Sequence, residues 1–416
     1  MIQDWIRRSG ELPLKIHVSQ KSVTSSFVTV KPLIDMVNEV SKRWYTLHLH
    51  IIAQGISLFN GNPESNSTML QSLRLFPRFS NPEDEDEEDS HPDAKFKMQN
   101  VHPSPENINF YDMRFKSVGI LWSNVTCAKV STFQIGECLE LLKHARNLRH
   151  CAFTYILLSE KPIFPIPQSL IIHDQLQEIN VSESDTEAIE LLFGRITLPA
   201  LHTLSISIST HDYALAKDSL STFLRKSSCQ LKNFELSDSH LMSETLLSLL
   251  DDMPTLQNLS LLPNGPSAHI LAGLLERLVR NSSEDAGVDF LPKLESFRYQ
   301  WQTYRGYNSV PGLTWSLILE VLAGAESKDS DAQPRRPWGV FHIDFFRANS
   351  NEPLFIIDKE LIPRLRSLLD DGLDLKFRYP DENLDLIKES MEYYGLSNFG
   401  EEEEEEVISS EFSFSD

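Results

Sequence analysis

The stretch Leu256-Gln-Asn-Leu259-Ser-Leu261 decides the fold, because its spacing of apolar residues, L-x-x-L-x-L, recurs along the chain. Aromatic and β-branched residues replace some of the leucines. Clear copies begin at Trp44, Leu70, Val125, Leu148, Leu176, Leu201, Leu231, Leu256 and Leu294. From Val125 onward, successive copies start 23, 28, 25, 30, 25 and 38 residues apart. The sequence is therefore built from repeats.

Each repeat is predicted to contain a strand followed by a helix. The fourth and sixth motif residues are two apart, so both point to one face of a short strand. Segments between the motifs, such as 187–193 and 244–250, have apolar residues at helical spacing. One such unit cannot bury its apolar face, but a stack can. The period is typical of leucine-rich repeats. The sequence thus predicts an α/β leucine-rich-repeat solenoid, with a curved parallel β-sheet on the concave face and helices on the convex face.

The repeats set the predicted domain boundaries. Residues 1–52 form an N-terminal cap and the first repeat, and residues 53–398 form the solenoid. Within the solenoid, the stretch NPEDEDEEDSHPD indicates an acidic disordered insertion at about residues 80–105, because like charges repel and bury nothing. Val340–Phe345 and Leu373–Phe377 are interpreted as strands of degenerate C-terminal repeats. Residues 399–416 are predicted to be an acidic disordered tail.

Charge and composition exclude several classes of protein. The 416 residues carry a formal net charge of -22, which argues against nucleic acid as the main ligand. Two runs, Glu83–Asp89 and Glu401–Glu406, supply seven and six of the acidic residues. The second run either solubilises the chain or binds a basic partner. No apolar run is long enough to span a bilayer, and the N-terminus does not read as a signal peptide. We expect no membrane partner and a cytoplasmic or nuclear protein.

The sequence offers little chemistry for catalysis. It contains no phosphate-binding glycine loop, nucleophile elbow or zinc-protease motif. His48 and His50 could share a metal, but outward projection from one strand explains their spacing better. Cys151 occupies an inward motif position, whereas Cys127 should face outward, where a reactive role has only Lys129 as a basic neighbour. We expect no enzyme activity, no cofactor and no metal.

The third and fifth motif positions predict a binding surface for a protein partner, because they project from the sheet on the concave face. The residues of this predicted site are His48, Arg74, Lys129, His150, Glu178, Asn180, Asn233, Glu235, Asn258 and Arg298. A secondary patch is predicted from Trp301, Tyr304 and Tyr307, since aromatic residues dominate interface energetics. Packing beneath the loop after Tyr299 is the alternative explanation for that patch.

Several ordered landmarks resemble a known family. The stretch 5–14 (WIRRSGELPL) is similar to the segment that follows the F-box in F-box-like leucine-rich-repeat proteins of mushroom-forming (basidiomycete) fungi. The same order of motifs continues through 41–44 (SKRW), 121–126 (LWSNVT), 137–140 (ECLE), 198–201 (LPAL) and 223–229 (FLRKSSC). The resemblance runs from Trp5 to about Leu322.

The resemblance implies a substrate-recognition region of a cullin-type ubiquitin ligase. Members of the family carry an F-box before the stretch that begins at Trp5, whereas only four residues precede it here. The segment from Leu12 to Trp44 is not a substitute, because Leu14–Val18 alternates as a strand does and an F-box would need a helix. A Skp-type adaptor is therefore expected as a partner only if an F-box lies upstream. The alternative is a stand-alone repeat scaffold or inhibitor with no ligase connection.

Overall fold

A computed structural model describes residues 2–20, 27–78, 94–208, 217–238, 242–263, 268–280, 290–302, 315–323, 338–347 and 354–396. The acidic run Glu83–Asp89 and the predicted tail 399–416 lie outside these residues. Within them, no helix combines the length and the apolar character that crossing a bilayer requires.

The described strands follow the repeat pattern. They are β1 (Leu14–Ser19), β2 (Trp44–Ile52), β3 (Ser72–Arg78), β4 (Phe96–Lys97), β5 (Asn107–Tyr111), β6 (Val118–Gly119), β7 (Cys127–Ser131), β8 (His150–Thr154), β9 (Ile171–Ile172), β10 (Glu178–Ser184), β11 (Ile196–Thr197), β12 (Thr203–Ile208), β13 (Asn233–Asp238), β14 (Asn258–Pro263), β15 (Ser296–Gln302), β16 (Val340–Phe346), β17 (Asp374–Tyr379) and β18 (Leu384–Asp385).

One sheet contains 14 of these strands, in the order β1-β2-β3-β5-β7-β8-β10-β12-β13-β14-β15-β16-β17-β18. Every neighbouring pair is parallel except β17 and β18, which are antiparallel. The strands lie side by side in chain order. Two short pairs, β4 with β6 and β9 with β11, lie apart from this sheet.

The described helices form a second layer. They are α1 (Ile2–Arg8), α2 (Phe27–Glu39), α3 (Ala53–Ile56), α4 (Ile135–His144), α5 (Thr186–Arg195), α6 (Lys217–Ser227), α7 (Ser243–Leu250), α8 (Ala268–Arg280), α9 (Trp315–Ala323), α10 (Ile362–Asp370) and α11 (Leu386–Tyr393). From α4 to α11 each helix contacts the next one along the chain. The segments predicted to be helical at 187–193 and 244–250 fall within α5 and α7, which confirms them.

The motif leucines form the core between the two layers. In β14, Leu259 and Leu261 are buried, and the corresponding residues of the other predicted motifs are buried as well. These strand residues and the apolar stripes of the helices belong to one continuous cluster. Because burial of apolar area is the main favourable term in folding, the repeated leucines account for the stacking of the units. The prediction of a mixed α/β fold with a parallel sheet is confirmed.

The structure differs from the predicted acidic insertion over residues 94–105. Phe96 lies in β4, which pairs with β6, and both Phe96 and Met98 are buried. The sequence analysis also missed β5, which places Ile108 and Phe110 in the core. Pro105 stands where the motif usually has leucine, so this repeat escaped recognition. Residues 94–105 are therefore part of the folded chain, contrary to the prediction for that part of the insertion.

The N-terminal segment is held to the sheet by a buried arginine. Arg43 donates hydrogen bonds to the carbonyl oxygen of Leu12 at 2.9 Å and to Ser9 Oγ at 2.6 Å. After this anchor the chain enters β1, which pairs in parallel with β2. The prediction that Leu14–Val18 forms a strand is confirmed.

Candidate interaction face of the sheet

Alternate residues of the parallel strands project away from the helices and form one open face. Along its centre, each residue pairs in register with the next. This central row comprises His17, His48, Arg74, Asn109, Lys129, Ala152, Asn180, Ser205, Glu235, Ser260, Arg298, His342 and Lys376. A parallel row two residues earlier contains His150, Glu178, Asn233 and Asn258.

All ten residues of the predicted primary site lie on this open face. Six of them belong to the central row and four to the row beside it. Their side chains are half-buried or exposed, whereas the residues between them along each strand are buried. The period of two within a strand explains this separation, because successive side chains point to opposite faces. The sequence analysis did not name the face residues of β1, β5, β16 and β17.

The open face changes in character along the sheet. In β1, β2, β3 and β7 it carries lysine, arginine and histidine, and β5 between them carries asparagine and tyrosine. In the middle, asparagines are linked across strands: Asn258 Nδ2 donates to Asn233 Oδ1 at 2.5 Å, and Asn233 Nδ2 donates to Thr203 Oγ1 at 2.8 Å. Glu178 and Glu235 make this middle part acidic. Toward the C-terminal end the central row is basic again at Arg298 and Lys376.

Histidines cluster at the first two strands. The rings of His17 and His48 stack with centroids 4.2 Å apart. Arg78 Nε donates to His50 Nε2 at 2.9 Å, which leaves that ring nitrogen as the acceptor. Burial, then the nearby His17, Arg74 and His50, lowers the pKa of His48. Burial, then Arg78 and His17, lowers the pKa of His50.

His48 and His50 lie in surroundings that do not favour a metal ion. They project from the same face, as predicted, but the neighbouring cations would repel one. Within the described ranges, no group of three or more histidine, cysteine, aspartate or glutamate side chains is arranged to bind a metal ion.

The cysteines are not set up as nucleophiles. Cys151 is buried in the core, and Cys127 is half-buried on the open face, as predicted. Burial raises the pKa of the Cys127 thiol, with Lys129 opposing and Glu178 adding to the rise. Burial also raises the pKa of Cys138, Cys151 and Cys229. A reactive cysteine needs a lowered pKa, so these thiols favour the protonated form.

The prediction that Trp301 belongs to a secondary binding patch is wrong. Its side chain is only 4% exposed and packs against Phe345 and Phe355. Trp301 follows Tyr299 at a spacing of two, so it continues the inward side of β15. Tyr304 and Tyr307 lie outside the described residues. For Trp301 the alternative explanation, packing in the core, is therefore correct.

Comparisons with known proteins assign no family to this chain. No protein-family model matches the sequence, and no curated protein matches it.

Proposed function

We propose that this chain is a leucine-rich-repeat solenoid that binds a protein partner on the open face of its sheet. Three features support the solenoid. The parallel strands follow one another in chain order, the helices contact one another in the same order, and the repeat period is that of leucine-rich repeats. A doubly wound α/β sheet would instead reverse its strand order and carry helices on both faces.

The observation that carries the binding role is the central row of the open face. It crosses 13 parallel strands from His17 to Lys376 and carries a polar side chain on every one except β8, which contributes Ala152, while the buried positions beside it are apolar. A long row of solvated, chemically varied side chains on a rigid sheet is the surface that solenoid proteins use for binding. Binding without catalysis is proposed, because neither the sequence motifs nor the thiols favour a catalytic centre.

Within this role, we place the chain as the substrate-recognition region of an F-box protein in a cullin-type ubiquitin ligase. Support for this finer role comes from the resemblance between Trp5 and Leu322. The buried bonds of Arg43 to Ser9 and Leu12 give the first landmarks of that resemblance a structural reason. The alternative is a stand-alone scaffold or inhibitor, in which the same face holds a partner without delivering it to a ligase.

The binding role is tested by placing charge in the middle of the open face. Proteins that co-purify with the wild type from cells expressing it are compared with those of the double variant Asn180→Arg, Asn258→Arg. The matched control, Asn66→Arg with Gln230→Arg, adds the same charge at exposed positions off the face. The proposal expects a partner lost only from the face variant. A partner set that is unchanged in the face variant would contradict it.

The ligase role is tested separately at the transcript. Sequencing its 5′ end shows whether an in-frame F-box precedes Met1. The protein encoded by the full transcript should then co-purify with a Skp-type adaptor. An in-frame stop codon directly upstream of Met1 would remove the ligase role and favour the scaffold.

A further inference from the structure

The N-terminal part of the open face is basic, although the chain as a whole is strongly acidic. We define the N-terminal basic patch as Lys15, His17, His48, His50, Arg74 and Lys129. These residues come from β1, β2, β3 and β7, and the open-face positions of these strands and of β5 between them carry no aspartate or glutamate. The whole chain has 60 acidic residues and 38 basic ones. Five successive strands without an acidic residue on the open face are therefore unusual in a chain with more acidic than basic residues.

The cations of this patch are not neutralised within the described part of the chain. Lys15, Arg74 and Lys129 make no ion pair there. The other end of the same sheet is different: Arg378 Nε lies 2.5 Å from Asp344 Oδ1, and Lys376 Nζ lies 2.8 Å from Asp374 Oδ1. Paired charges at one end and unpaired cations at the other show where a negatively charged ligand gains most.

The register places the basic residues in a line that is interrupted only by the uncharged Asn109. His17, His48, Arg74, Asn109 and Lys129 occupy consecutive positions of the central row. Four steps between neighbouring strands span about 19 Å, which an extended peptide covers with about six residues. Phe76 and Tyr111 stand in the next row on β3 and β5, where they add half-buried and exposed aromatic surface beside the cations.

We infer that the N-terminal basic patch binds an acidic, extended peptide segment of the partner protein, laid across β1 to β7. This inference rests on the proposed binding role of the open face and names the chemistry of what binds there. Carboxylates of the segment would meet Arg74 and Lys129, and Arg74 can hold a carboxylate with two hydrogen bonds. Nucleic acid is disfavoured as the ligand, because a long polyanion would also meet the field of a chain with net charge -22.

The histidines give the contact a pH dependence of defined sign. His48 faces His17 on β1, His50 on its own strand and Arg74 on β3, and His50 faces His17 and Arg78. These neighbours are cationic when charged, so they disfavour protonation of both rings in the unbound protein. A bound carboxylate opposes that effect. Binding should therefore strengthen as the pH falls below 6.5 toward the lowered pKa values of His48 and His50, while glutamates of the peptide stay ionised.

The test measures binding of a fluorescently labelled peptide rich in aspartate and glutamate to the full chain by fluorescence anisotropy. A peptide of the same length with asparagine and glutamine in place of the acids reports binding that does not depend on charge. The variant Arg74→Glu, Lys129→Glu is compared with Lys95→Glu, Lys388→Glu, which changes the net charge equally at exposed sites off the face. Circular dichroism checks that each variant is folded. The milder pair Arg74→Gln, Lys129→Gln replaces the reversal if that variant fails to fold.

We expect the wild type to bind the acidic peptide and the Arg74→Glu, Lys129→Glu variant to bind it at least about tenfold more weakly, because like charges would face each other. The control pair should bind like the wild type, and the amide peptide should not bind. Equal binding by the face variant and the wild type would overturn the inference. So would tighter binding of a single-stranded oligonucleotide than of the peptide.

Failure here is distinguishable from failure of the proposed function. The binding role is tested in the middle of the face, with a native partner and the Asn180→Arg, Asn258→Arg variant. If that variant loses its partner while no acidic peptide binds the basic patch, the open face is a binding surface and only the acidic-peptide inference is wrong.

Discussion

The imidazole rings of His17 and His48 lie on neighbouring strands and stack with an angle of 7° between their planes. Two rings so placed cannot both take up a proton without repulsion. Arg74, one strand further along the same row, adds to that repulsion. Burial and these neighbours lower the pKa of His48, so the stack favours the neutral form of His48.

Acid should weaken the N-terminal end of the sheet. The pKa values of His48 and His50 are lowered from 6.5 in the folded chain, so the unfolded chain binds more protons as the pH falls below that value. The stability contributed by these neutral rings is present above pH 6.5 and is lost as the pH falls through their folded pKa values. Histidine titration by NMR should give both pKa values below 6.5. In His48→Gln with His50→Gln, the loss of thermal stability between about pH 7.5 and about pH 5.5 should be smaller than in the wild type.

The buried carboxylate of Glu137 should be one of the more costly side chains to remove. It accepts hydrogen bonds from the backbone N–H of Phe115 at 2.8 Å and of Gln134 at 3.0 Å, and it lies 3.5 Å from Arg114. Glu137→Ala leaves buried donors without an acceptor, so we expect a loss of about 2–4 kcal/mol in the free energy of unfolding. Urea denaturation measures this loss. Exposed Glu187→Ala, at a corresponding place near the start of α5, is the control and should change little. Equal effects of the two changes would contradict the role given to Glu137.

Arg43 should hold the N-terminal segment in place. Its bonds to Ser9 Oγ and to the carbonyl oxygens of Leu12 and Ile6 connect that segment to the chain just before β2. Arg43→Ala is expected to release residues 2–13, because those acceptors lose a charged donor. Limited proteolysis or hydrogen exchange should show faster cleavage or exchange in that segment than in α10 or α11. Exposed Lys31→Ala in α2 is the control, and release by that change as well would argue against Arg43 as the anchor.

Phe96 tests whether the chain is ordered directly after the acidic run. It lies in β4, which pairs with β6, and its side chain is buried. Phe96→Ala should lower the free energy of unfolding by about 3–5 kcal/mol, as large-to-small core changes do. Exposed Lys95→Ala should have little effect. If Phe96→Ala were also neutral in urea denaturation, residues 94–105 would belong to the disordered insertion that the sequence predicted.

The sequence predicts the periodic part of this molecule well, for a physical reason. Leu259 and Leu261 can be assigned to the core from spacing alone, and Asn258 and Ser260 are then placed on the open face. The same rule correctly places all ten residues of the predicted primary site on the open face. It works because alternation within a strand and repetition between strands are both local patterns.

The sequence failed where a residue departed from the pattern or where contacts are distant in the chain. Pro105 concealed β5, and the neighbouring acidic run concealed the ordered strand at Phe96. Arg378 forms an ion pair with Asp344, whereas Arg74 has no such pair among the described residues. This difference depends on which strands are neighbours and on side-chain rotamers, which the sequence does not give. Trp301 was misassigned because an aromatic residue beside a loop reads equally well as an anchor or as core.

The antiparallel hairpin at the end of the sheet has a consequence for self-association. A parallel edge strand offers unpaired backbone groups to a second copy, and stacked repeats could in that way grow into filaments. Here β18 turns back and pairs with Arg378 and Tyr379 at the end of β17, so the outermost strand there is two residues long and of opposite polarity. A second molecule that presented β1 to this edge would find the backbone of Arg378 and Tyr379 already paired. The reversal of two residues thus covers the end of β17 at this edge of the 14-stranded sheet.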